Sequence, residues 1–264
     1  MSQGHQSARA RLLEDVAVEV ASVAAGYVRA RSGKATAART KSSPTDVVTH
    51  TDMECEQLIR SELLARCPGS SIVGEELDDD DGGNNVGWIV DPIDGTVNYL
   101  YDLPVVSVSI AATIEGLVVA GAVADIHRGE VFSATRDAGA RRAGESISPT
   151  KLADLHGALV ATGFAYDAGL RATQAQMLTR LLPVCRDIRC MGSAALNLCW
   201  VGCGRLDAYF ERDLKVYDYA AGALVACEAG ARVELPSTAD SNLTIAAASG
   251  IFESLQSMLV SPGD

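Results

Sequence analysis

A short apolar strand that runs straight into two aspartates and a proline is the most constraining feature of this 264-residue sequence. The segment reads Trp88-Ile89-Val90-Asp91-Pro92-Ile93-Asp94-Gly95-Thr96-Val97-Asn98-Tyr99. Pro92 cannot continue a hydrogen-bonded ladder, so the backbone must turn directly after Asp91. The chain must therefore end a buried strand at a carboxylate-bearing turn.

Two carboxylates three residues apart, with the Ile93 carbonyl between them, can reach one small volume. Such hard oxygen donors suit Mg²⁺. Gly95 and Thr96 follow, and a helix that begins there would present free backbone N–H groups to an anion. The alternative is that Asp91 and Asp94 are only turn and cap residues, as aspartate often is. The full string with its strand favours a metal and phosphate site.

Further acidic residues follow other elements. Glu75 and Glu76 end the string Ile72-Val73-Gly74-Glu75-Glu76, directly after a short apolar strand. They are either an exposed strand end or part of the same site. Asp218 begins an Ala-rich segment, where it could simply cap a helix. Four consecutive aspartates lie in the segment 77–85, for which a solvated turn is favoured over an ion site.

Composition excludes several classes of protein. The formal net charge of −12 argues against a nucleic-acid binder, and 48% hydrophobic residues are enough for a full core. No apolar stretch is long enough for a membrane span, and the charged N-terminus predicts no export signal. Seven cysteines without CxxC spacing predict reduced thiols in a cytoplasmic protein, and the four scattered histidines give no zinc pattern.

Hydrophobic periodicity predicts helices over 9–30 and 51–66, with Thr51 or Asp52 near the cap of the second, and an irregular loop over 32–44. Three strands between residues 106 and 134 predict an antiparallel meander. The second half alternates strands with helices at 170–182, 193–202, 220–229 and 251–259. This predicts an α/β (α+β) protein with helices on a mixed sheet, divided near residue 150 into parts 1–150 and 151–264.

Five strings together resemble the inositol monophosphatase family over roughly residues 12–259. They are Lys41-Ser42-Ser43-Pro44-x-Asp46-x-Val48-Thr49-x-Thr51-Asp52, Gly74-Glu75-Glu76, the segment from Asp91 to Tyr99, Gly192-Ser193-Ala194-Ala195, and Asp218-x-Ala220-Ala221-Gly222. The resemblance implies a layered αβαβα sandwich of the inositol monophosphatase and fructose-1,6-bisphosphatase type, usually a homodimer. It also implies Mg²⁺-dependent, Li⁺-sensitive hydrolysis of a phosphate monoester by water.

The resemblance also assigns roles to residues. Five residues resemble the family's two main ion sites: Glu75, Asp91, the Ile93 carbonyl, Asp94 and Asp218. Asp52 and Glu75 resemble the pair that helps to hold a third, weaker ion. Thr96 with Asp52 resembles the catalytic pair that orients the attacking water, and the N–H groups of Gly95 and Thr96 would bind phosphate oxygens.

Substrate choice rests on Glu211, seven residues before Asp218. In the inositol-phosphatase branch a glutamate at this spacing accepts hydrogen bonds from polyol hydroxyls, and the turn at Ser193 and Ala194 resembles a second ring contact. A solvated strand end is the alternative for Glu211. The resemblance thus favours inositol 1-phosphate. It leaves open fructose 1,6-bisphosphate, histidinol phosphate, 3′-phosphoadenosine 5′-phosphate, or an added regulatory role on a protein such as RNA polymerase.

Two departures from the family pattern stand out. Tyr217 replaces the usual Trp before Asp218, which removes no ligand. The segment 234–243 lacks the usual Gly-x-Pro-Phe-Asp-type turn, so the resemblance is looser near the C-terminus.

Overall fold

The structure, a computed structural model, describes residues 3–34, 36–41, 47–236 and 242–260. These residues form seven α-helices: α1 (Gln3–Arg29), α2 (His50–Arg66), α3 (Thr96–Leu100), α4 (Ala168–Leu181), α5 (Ala194–Gly202), α6 (Val216–Ala229) and α7 (Phe252–Leu259). The strands are β1 (Ala37–Thr40), β2 (Val47–Thr49), β3 (Ser71–Gly74), β4 (Val86–Asp94), β5 (Ser107–Ile114), β6 (Leu117–Asp125), β7 (Glu130–Thr135), β8 (Ala140–Arg142), β9 (Glu145–Ser146), β10 (Leu159–Thr162), β11 (Asp187–Cys190), β12 (Ala208–Arg212), β13 (Arg232–Glu234) and β14 (Leu243–Ala247). Among these helices none has both the length and the apolar character that a membrane crossing needs.

Two sheets organise the chain. The larger has seven strands in the order β3-β4-β5-β6-β7-β8-β9, parallel between β3 and β4 and antiparallel elsewhere. The smaller has five strands in the order β11-β10-β12-β14-β13, of which the first three are parallel. The short strands β1 and β2 form a separate antiparallel pair.

Helices separate and cover the sheets. Helices α1 and α2 pack on one face of the seven-stranded sheet, and α5 and α6 lie against its other face. The five-stranded sheet packs on α5 and α6 from the opposite side, and α4 and α7 cover its outer face. The order of layers is therefore αβαβα, as the family resemblance predicts.

Small residues allow the middle layer to pack closely. A Cβ on Gly222 of α6 would lie 2.9 Å from the carbonyl oxygen of Ala195 in α5. A Cβ on Gly121 of β6 would lie 3.1 Å from the Cβ of Ala221. Because these backbones approach so closely, the first turns of α5 and α6 reach the end of β4, where the candidate site lies.

Most predicted elements are confirmed, including the β5-β6-β7 meander and the alternation of the second half. The prediction of an irregular loop over 32–44 is wrong in part, because Ala37–Thr40 is a strand paired with Val47–Thr49. Its exposed residues lack apolar alternation, so only the pairing reveals it. Residues 35 and 42–44 of that loop, and residues 237–241 of the segment 234–243, lie outside the described residues.

The prediction that Asp52 lies near the cap of α2 is confirmed, because Thr49 is the N-cap and the Asp52 carboxylate accepts from its N–H at 2.9 Å. Asp218 does not occupy the N-cap position of α6 but lies in its first turn, three residues after the N-cap Lys215, where its carboxylate accepts from the Lys215 N–H at 2.6 Å. The division near residue 150 stays a prediction; it falls between the two sheets, which share one helical layer.

Candidate active site

A cleft of about 1000 Å³ opens at the carboxyl end of β4. Ten of the eleven sequence-predicted site residues line it: Glu75, Asp91, Ile93, Asp94, Gly95, Thr96, Ser193, Ala194, Glu211 and Asp218. Asp52, the eleventh, lies behind the cleft wall and is fully buried. Both halves of the chain contribute to the lining, so the sequence patterns converge on one place.

An irregularity at the end of β4 puts two carboxylates on one face. Asp91 pairs with Ser109 and Asp94 with Ser107, so a three-residue step on β4 matches a two-residue step on β5. Residues three apart on a regular strand point to opposite faces, and the extra residue at Pro92 corrects this. The Asp91 Oδ1 atom accepts from the Ile93 N–H at 3.0 Å, which fixes the turn.

Glu75 reaches the same place from the adjacent strand. Strands β3 and β4 run parallel with Gly74 opposite Val90, so Glu75 emerges beside Asp91. The Lys41 Nζ atom donates to Glu75 Oε1 at 2.7 Å and to Glu76 Oε1 at 2.6 Å. One lysine therefore links two neighbouring glutamates at the cleft.

The first turn of α5 holds Asp94 in place. Its Oδ2 atom accepts from the hydroxyls of Ser193 at 2.5 Å and Ser107 at 3.1 Å, and from the Ala195 N–H at 2.8 Å. Among the described residues, its Oδ1 atom accepts only from the Ala194 N–H, at 3.1 Å. Oδ1 is thus the less saturated oxygen and the one better able to accept a further ligand.

Burial raises the pKa values of all four carboxyl groups. Burial raises the pKa of Asp91 well above its usual range, and the charges of Glu75 and the neighbouring aspartates raise it further. Burial raises the pKa of Asp218 in the same way, with Glu75 adding to the effect. Burial raises the pKa of Glu75 to about 7 despite the opposing charge of Lys41. The pKa of Asp94 is also raised by burial, although its hydrogen bonds oppose this.

This donor set fits a divalent cation in chemical type. Within the described part of the chain, no three or more His, Cys, Asp or Glu side chains are already arranged to hold a metal ion. Instead the carboxyl groups of Glu75 and Asp91 hydrogen-bond to each other, and Lys41 supplies a positive charge. Four acidic oxygen donors with one ammonium group leave surplus negative charge, which a hard cation such as Mg²⁺ would neutralise.

Thr96 and Asp52 form the predicted pair. The Thr96 hydroxyl lies 3.0 Å from Asp52 Oδ1 and 3.0 Å from the Ile93 carbonyl oxygen. Burial raises the pKa of Asp52 to about 6, although hydrogen bonds from Thr49 oppose the shift. The Thr96 hydroxyl has a single proton and can donate it to only one of these two acceptors at a time, and its lone pairs remain able to accept from a third group.

Gly95 allows the turn between β4 and α3. Its φ of 101° is left-handed, and a Cβ there would lie 2.9 Å from the Val105 carbonyl oxygen and 3.0 Å from that of Gly192. A side chain is therefore excluded on both grounds. The first N–H groups of α3, which begins at Thr96, have no partner within the helix.

Glu211 faces the cluster from the second sheet. The Tyr209 hydroxyl donates to Glu211 Oε2 at 2.6 Å, and a Cβ on Gly163 would overlap the carboxylate. Burial raises the pKa of Glu211 to about 7, against the hydrogen bond from Tyr209. The Ser193 hydroxyl is already engaged with Asp94, so the contact of the 193–194 turn with a substrate stays a prediction.

Three site residues had no assigned role from the sequence. Lys41 begins the first of the five strings that resemble the family, but only the fold places it between Glu75 and Glu76. Ser107 acts through its cross-strand position, which alternation alone does not reveal. The Asn98 amide donates to the carbonyl oxygens of Val105 at 2.8 Å and Met191 at 2.7 Å, and so ties α3 to the segment before α5.

Known proteins share this architecture. Residues 10–261 match the inositol monophosphatase family. The inositol-1-monophosphatase of Mycobacterium leprae (strain TN) is 44% identical, over 94% of this chain and 93% of that protein. The solved structure of Mycobacterium tuberculosis SuhB superposes with a TM-score of 0.81 and 42% identity, covering 96% of each chain. The Nus factor SuhB of Pasteurella multocida (strain Pm70) is 39% identical over 74% of this chain and 73% of that protein.

The fold and the acidic cleft, together with these relatives, define a phosphoric monoester hydrolase. The chain belongs to the inositol monophosphatase family.

Proposed function

We propose that this protein hydrolyses small phosphate monoesters in a Mg²⁺-dependent reaction and that inositol 1-phosphate is its preferred substrate. The observation that carries the proposal is the convergence of Glu75, Asp91, Asp94 and Asp218 on one cleft with Glu211 on its opposite wall. The relative from Mycobacterium leprae, an inositol-1-monophosphatase, supports the choice of substrate.

The cation would be held by residues from both halves: Glu75, Asp91, the Ile93 carbonyl, Asp94 and Asp218. When bound, Mg²⁺ neutralises charge on the phosphate and lowers the pKa of a coordinated water. Because uncatalysed hydrolysis of phosphate monoesters is among the slowest known reactions, charge neutralisation is the main requirement of the site.

The protein's own groups orient the reactants. The Thr96 Oγ atom accepts a hydrogen bond from the attacking water and donates to Asp52 Oδ1, which lies 3.0 Å away. Because Thr96 links this water to Asp52, the proton would pass by relay: the Thr96 hydroxyl proton moves to Asp52 Oδ1 as Thr96 Oγ takes a proton from the water, and with a pKa near 6 Asp52 can hold it. The free N–H groups at Gly95 and Thr96 bind phosphate oxygens. Glu211, oriented by Tyr209, accepts hydrogen bonds from vicinal hydroxyls of the leaving polyol.

A substrate panel tests this proposal. Purified protein is assayed for phosphate release from inositol 1-phosphate, fructose 1,6-bisphosphate, histidinol phosphate and 3′-phosphoadenosine 5′-phosphate, with Mg²⁺ and with a chelator. We expect the highest kcat/KM for inositol 1-phosphate, loss of turnover in chelator, and inhibition by millimolar Li⁺. Turnover of another ester alone would overturn the substrate assignment, and full activity in chelator would overturn the role of Mg²⁺.

A second role is suggested by the relative named Nus factor SuhB. A regulatory contact with a transcription component would not require turnover, so the Asp94→Asn variant separates the two functions. A cellular phenotype restored by the inactive variant would support the regulatory role. A phenotype that follows phosphatase activity would exclude it.

Assembly and location belong to the same proposal. All seven cysteines are unpaired, two of them exposed, which supports a reducing, cytoplasmic compartment. The family resemblance supports a homodimer, and the net charge of −12 argues against direct binding of nucleic acid. Size-exclusion chromatography with light scattering tests the dimer, since a mass of about 27.6 kDa would show a monomer.

A further inference from the structure

A buried ion pair lies behind Glu75, outside the set of residues assigned above. Glu56 on α2 is fully buried, and Arg60, one turn later, is 7% exposed. The Glu56 Oε1 atom accepts from Arg60 Nε at 2.9 Å and from Nη2 at 2.7 Å. The pair lies on the helix face that also carries Asp52, four residues before Glu56.

The pair also hydrogen-bonds to the backbone that follows Glu75. Glu56 Oε2 accepts from the Glu76 N–H at 2.7 Å, and Oε1 accepts from the Leu77 N–H at 3.3 Å. Arg60 Nη2 donates to the Leu77 carbonyl oxygen at 3.3 Å. The peptide unit that follows Glu75 is therefore fixed by a charged acceptor.

The backbone before Glu75 is fixed by close packing. A Cβ on Gly74 would lie 2.0 Å from Glu56 Oε1 and 2.8 Å from Arg60 Nη2, so only glycine fits against the pair. On the far side, Arg60 Nη1 donates to Asp80 Oδ2 at 2.7 Å, beyond the turn that carries Glu75. The backbone is therefore fixed on both sides of Glu75.

We propose that Glu56 and Arg60 are positioning residues: a buried clamp that holds the 74–77 turn so that the Glu75 carboxylate faces Asp91 and a bound cation. The inference rests on the proposed Mg²⁺ function, because aiming Glu75 matters only if the cluster holds a cation. Neither residue of the clamp lines the cleft, so their influence passes through the turn.

A merely stabilising ion pair would behave differently. Breaking a buried pair destabilises a protein because one charge is left uncompensated, and that loss alone would leave cation affinity unchanged in the molecules that stay folded. A positioning pair must weaken cation binding by folded protein. Loss of a residue that orients a metal ligand typically weakens metal affinity by about 10- to 100-fold.

Cation binding by the metal-free protein distinguishes the two roles. Mn²⁺, which accepts the same carboxylate donors as Mg²⁺, is titrated calorimetrically into chelator-treated parent protein and the Glu56→Gln variant. The glutamine amide can still accept from the Glu76 N–H, but it presents no charge to Arg60. We expect the Mn²⁺ Kd to rise about 10-fold, and the Mg²⁺ concentration for half-maximal turnover to rise in parallel, with kcat at saturating Mg²⁺ changed less than threefold.

The matched control is Ile59→Val on the same helix. Ile59 is fully buried in the core and has no hydrogen bond to the turn, so its variant lowers the unfolding midpoint without altering the clamp. We expect its Mn²⁺ Kd to stay within twofold of the parent value. An Arg60→Lys variant, which keeps the charge but not the paired geometry, should give an intermediate Kd.

Two outcomes overturn the inference. Folded Glu56→Gln protein with the parent Mn²⁺ Kd would reduce the clamp to a stabilising ion pair and leave the proposed function standing. Parent protein that binds no Mn²⁺ would remove the proposed function and the clamp together. If Glu56→Gln does not fold, the Asp80→Asn variant takes its place, because it weakens the hydrogen bond between Arg60 and Asp80 at the exposed end of the clamp. An Mn²⁺ Kd equal to that of the parent in this variant would also overturn the inference.

Discussion

Two acid-rich regions of this molecule lie close together in the chain and behave in opposite ways. Residues 78–81 are four consecutive aspartates, all exposed in the turn between β3 and β4. Glu75, Asp91, Asp94 and Asp218 are scattered over more than 140 positions, yet they line one cleft. The dense run is the conspicuous feature of the sequence, and the scattered set is the one that we propose holds the cation.

Backbone anchoring accounts for this difference. Asp94 receives four hydrogen bonds from serine hydroxyls and the first turn of α5, and Asp91 is fixed by the Ile93 N–H. Among the four consecutive aspartates, Asp80 pairs with Arg60, and its side chain is still 51% exposed. Water already stabilises exposed carboxylates, whereas buried ones retain a strong affinity for cations and protons.

The largest expected effect is that of Asp94→Asn. Removing one negative charge from the anchored set should lower kcat by about 10³-fold, since metal-mediated charge stabilisation is worth several kcal/mol. The amide keeps the shape of the carboxylate, but its nitrogen cannot accept the backbone N–H bond that each carboxylate oxygen accepts from α5, so a local loss of stability is expected as well. The far-UV circular dichroism spectrum should still be that of the folded protein. Phosphate release at saturating Mg²⁺ measures the effect. A kcat within tenfold of the parent would show that burial does not mark the catalytic set.

Glu211→Gln should have the next largest effect, and this effect should be on substrate binding rather than on metal affinity. Replacing a charged acceptor of polyol hydroxyls should raise KM by about 10- to 100-fold, the value of a hydrogen bond to a charged group. The Mg²⁺ concentration for half-maximal rate should not change. The assigned role would be wrong if only that concentration moved.

Stability as a function of pH probes the buried carboxylates directly. Burial raises the pKa values of Glu75 and Glu211 to about 7, so between pH 4.5 and 7 the folded protein holds protons that the unfolded chain has released. The free energy of unfolding in chelator should therefore fall as pH rises through this window, by roughly 1 to 3 kcal/mol. Urea denaturation at pH 5, 6, 7 and 8 measures it.

Added Mg²⁺ should flatten that pH trend, because a cation binds the deprotonated carboxylates. Stability that instead rises from pH 5 to 7 in chelator would contradict the assigned direction of the pKa shifts.

Asp79→Asn should have the smallest effect and is the control for the comparison. Asp79 is exposed within the dense run, so kcat/KM should stay within about twofold and the free energy of unfolding within about 0.5 kcal/mol. A large loss of Mg²⁺ affinity would show that the run serves the site after all.

The sequence was informative where a pattern is local. Long apolar periodicity predicted α1. The prediction that the strand ends and the chain turns directly after Asp91 is wrong in position, because β4 continues through Pro92 to Asp94 with an irregularity between Asp91 and Asp94. Strand β1 was missed because its exposed residues form a strand only by pairing with β2. The serine at position 107 and the lysine at position 41 gained their roles from cross-strand register and from loop placement, which no spacing along the chain encodes.

The hydrogen bonds from α5 to Asp94 make the candidate active site depend on both halves of the chain. Asp94 belongs to the first sheet, whereas Ser193, Ala194 and Ala195 belong to a helix made about 100 residues later. A nascent chain that has folded only its first sheet holds most of the acidic groups but not the donors that orient Asp94. Enzyme turnover therefore reports complete folding. In a refolding experiment we expect phosphatase activity to return only after the second half of the chain has packed against the first sheet.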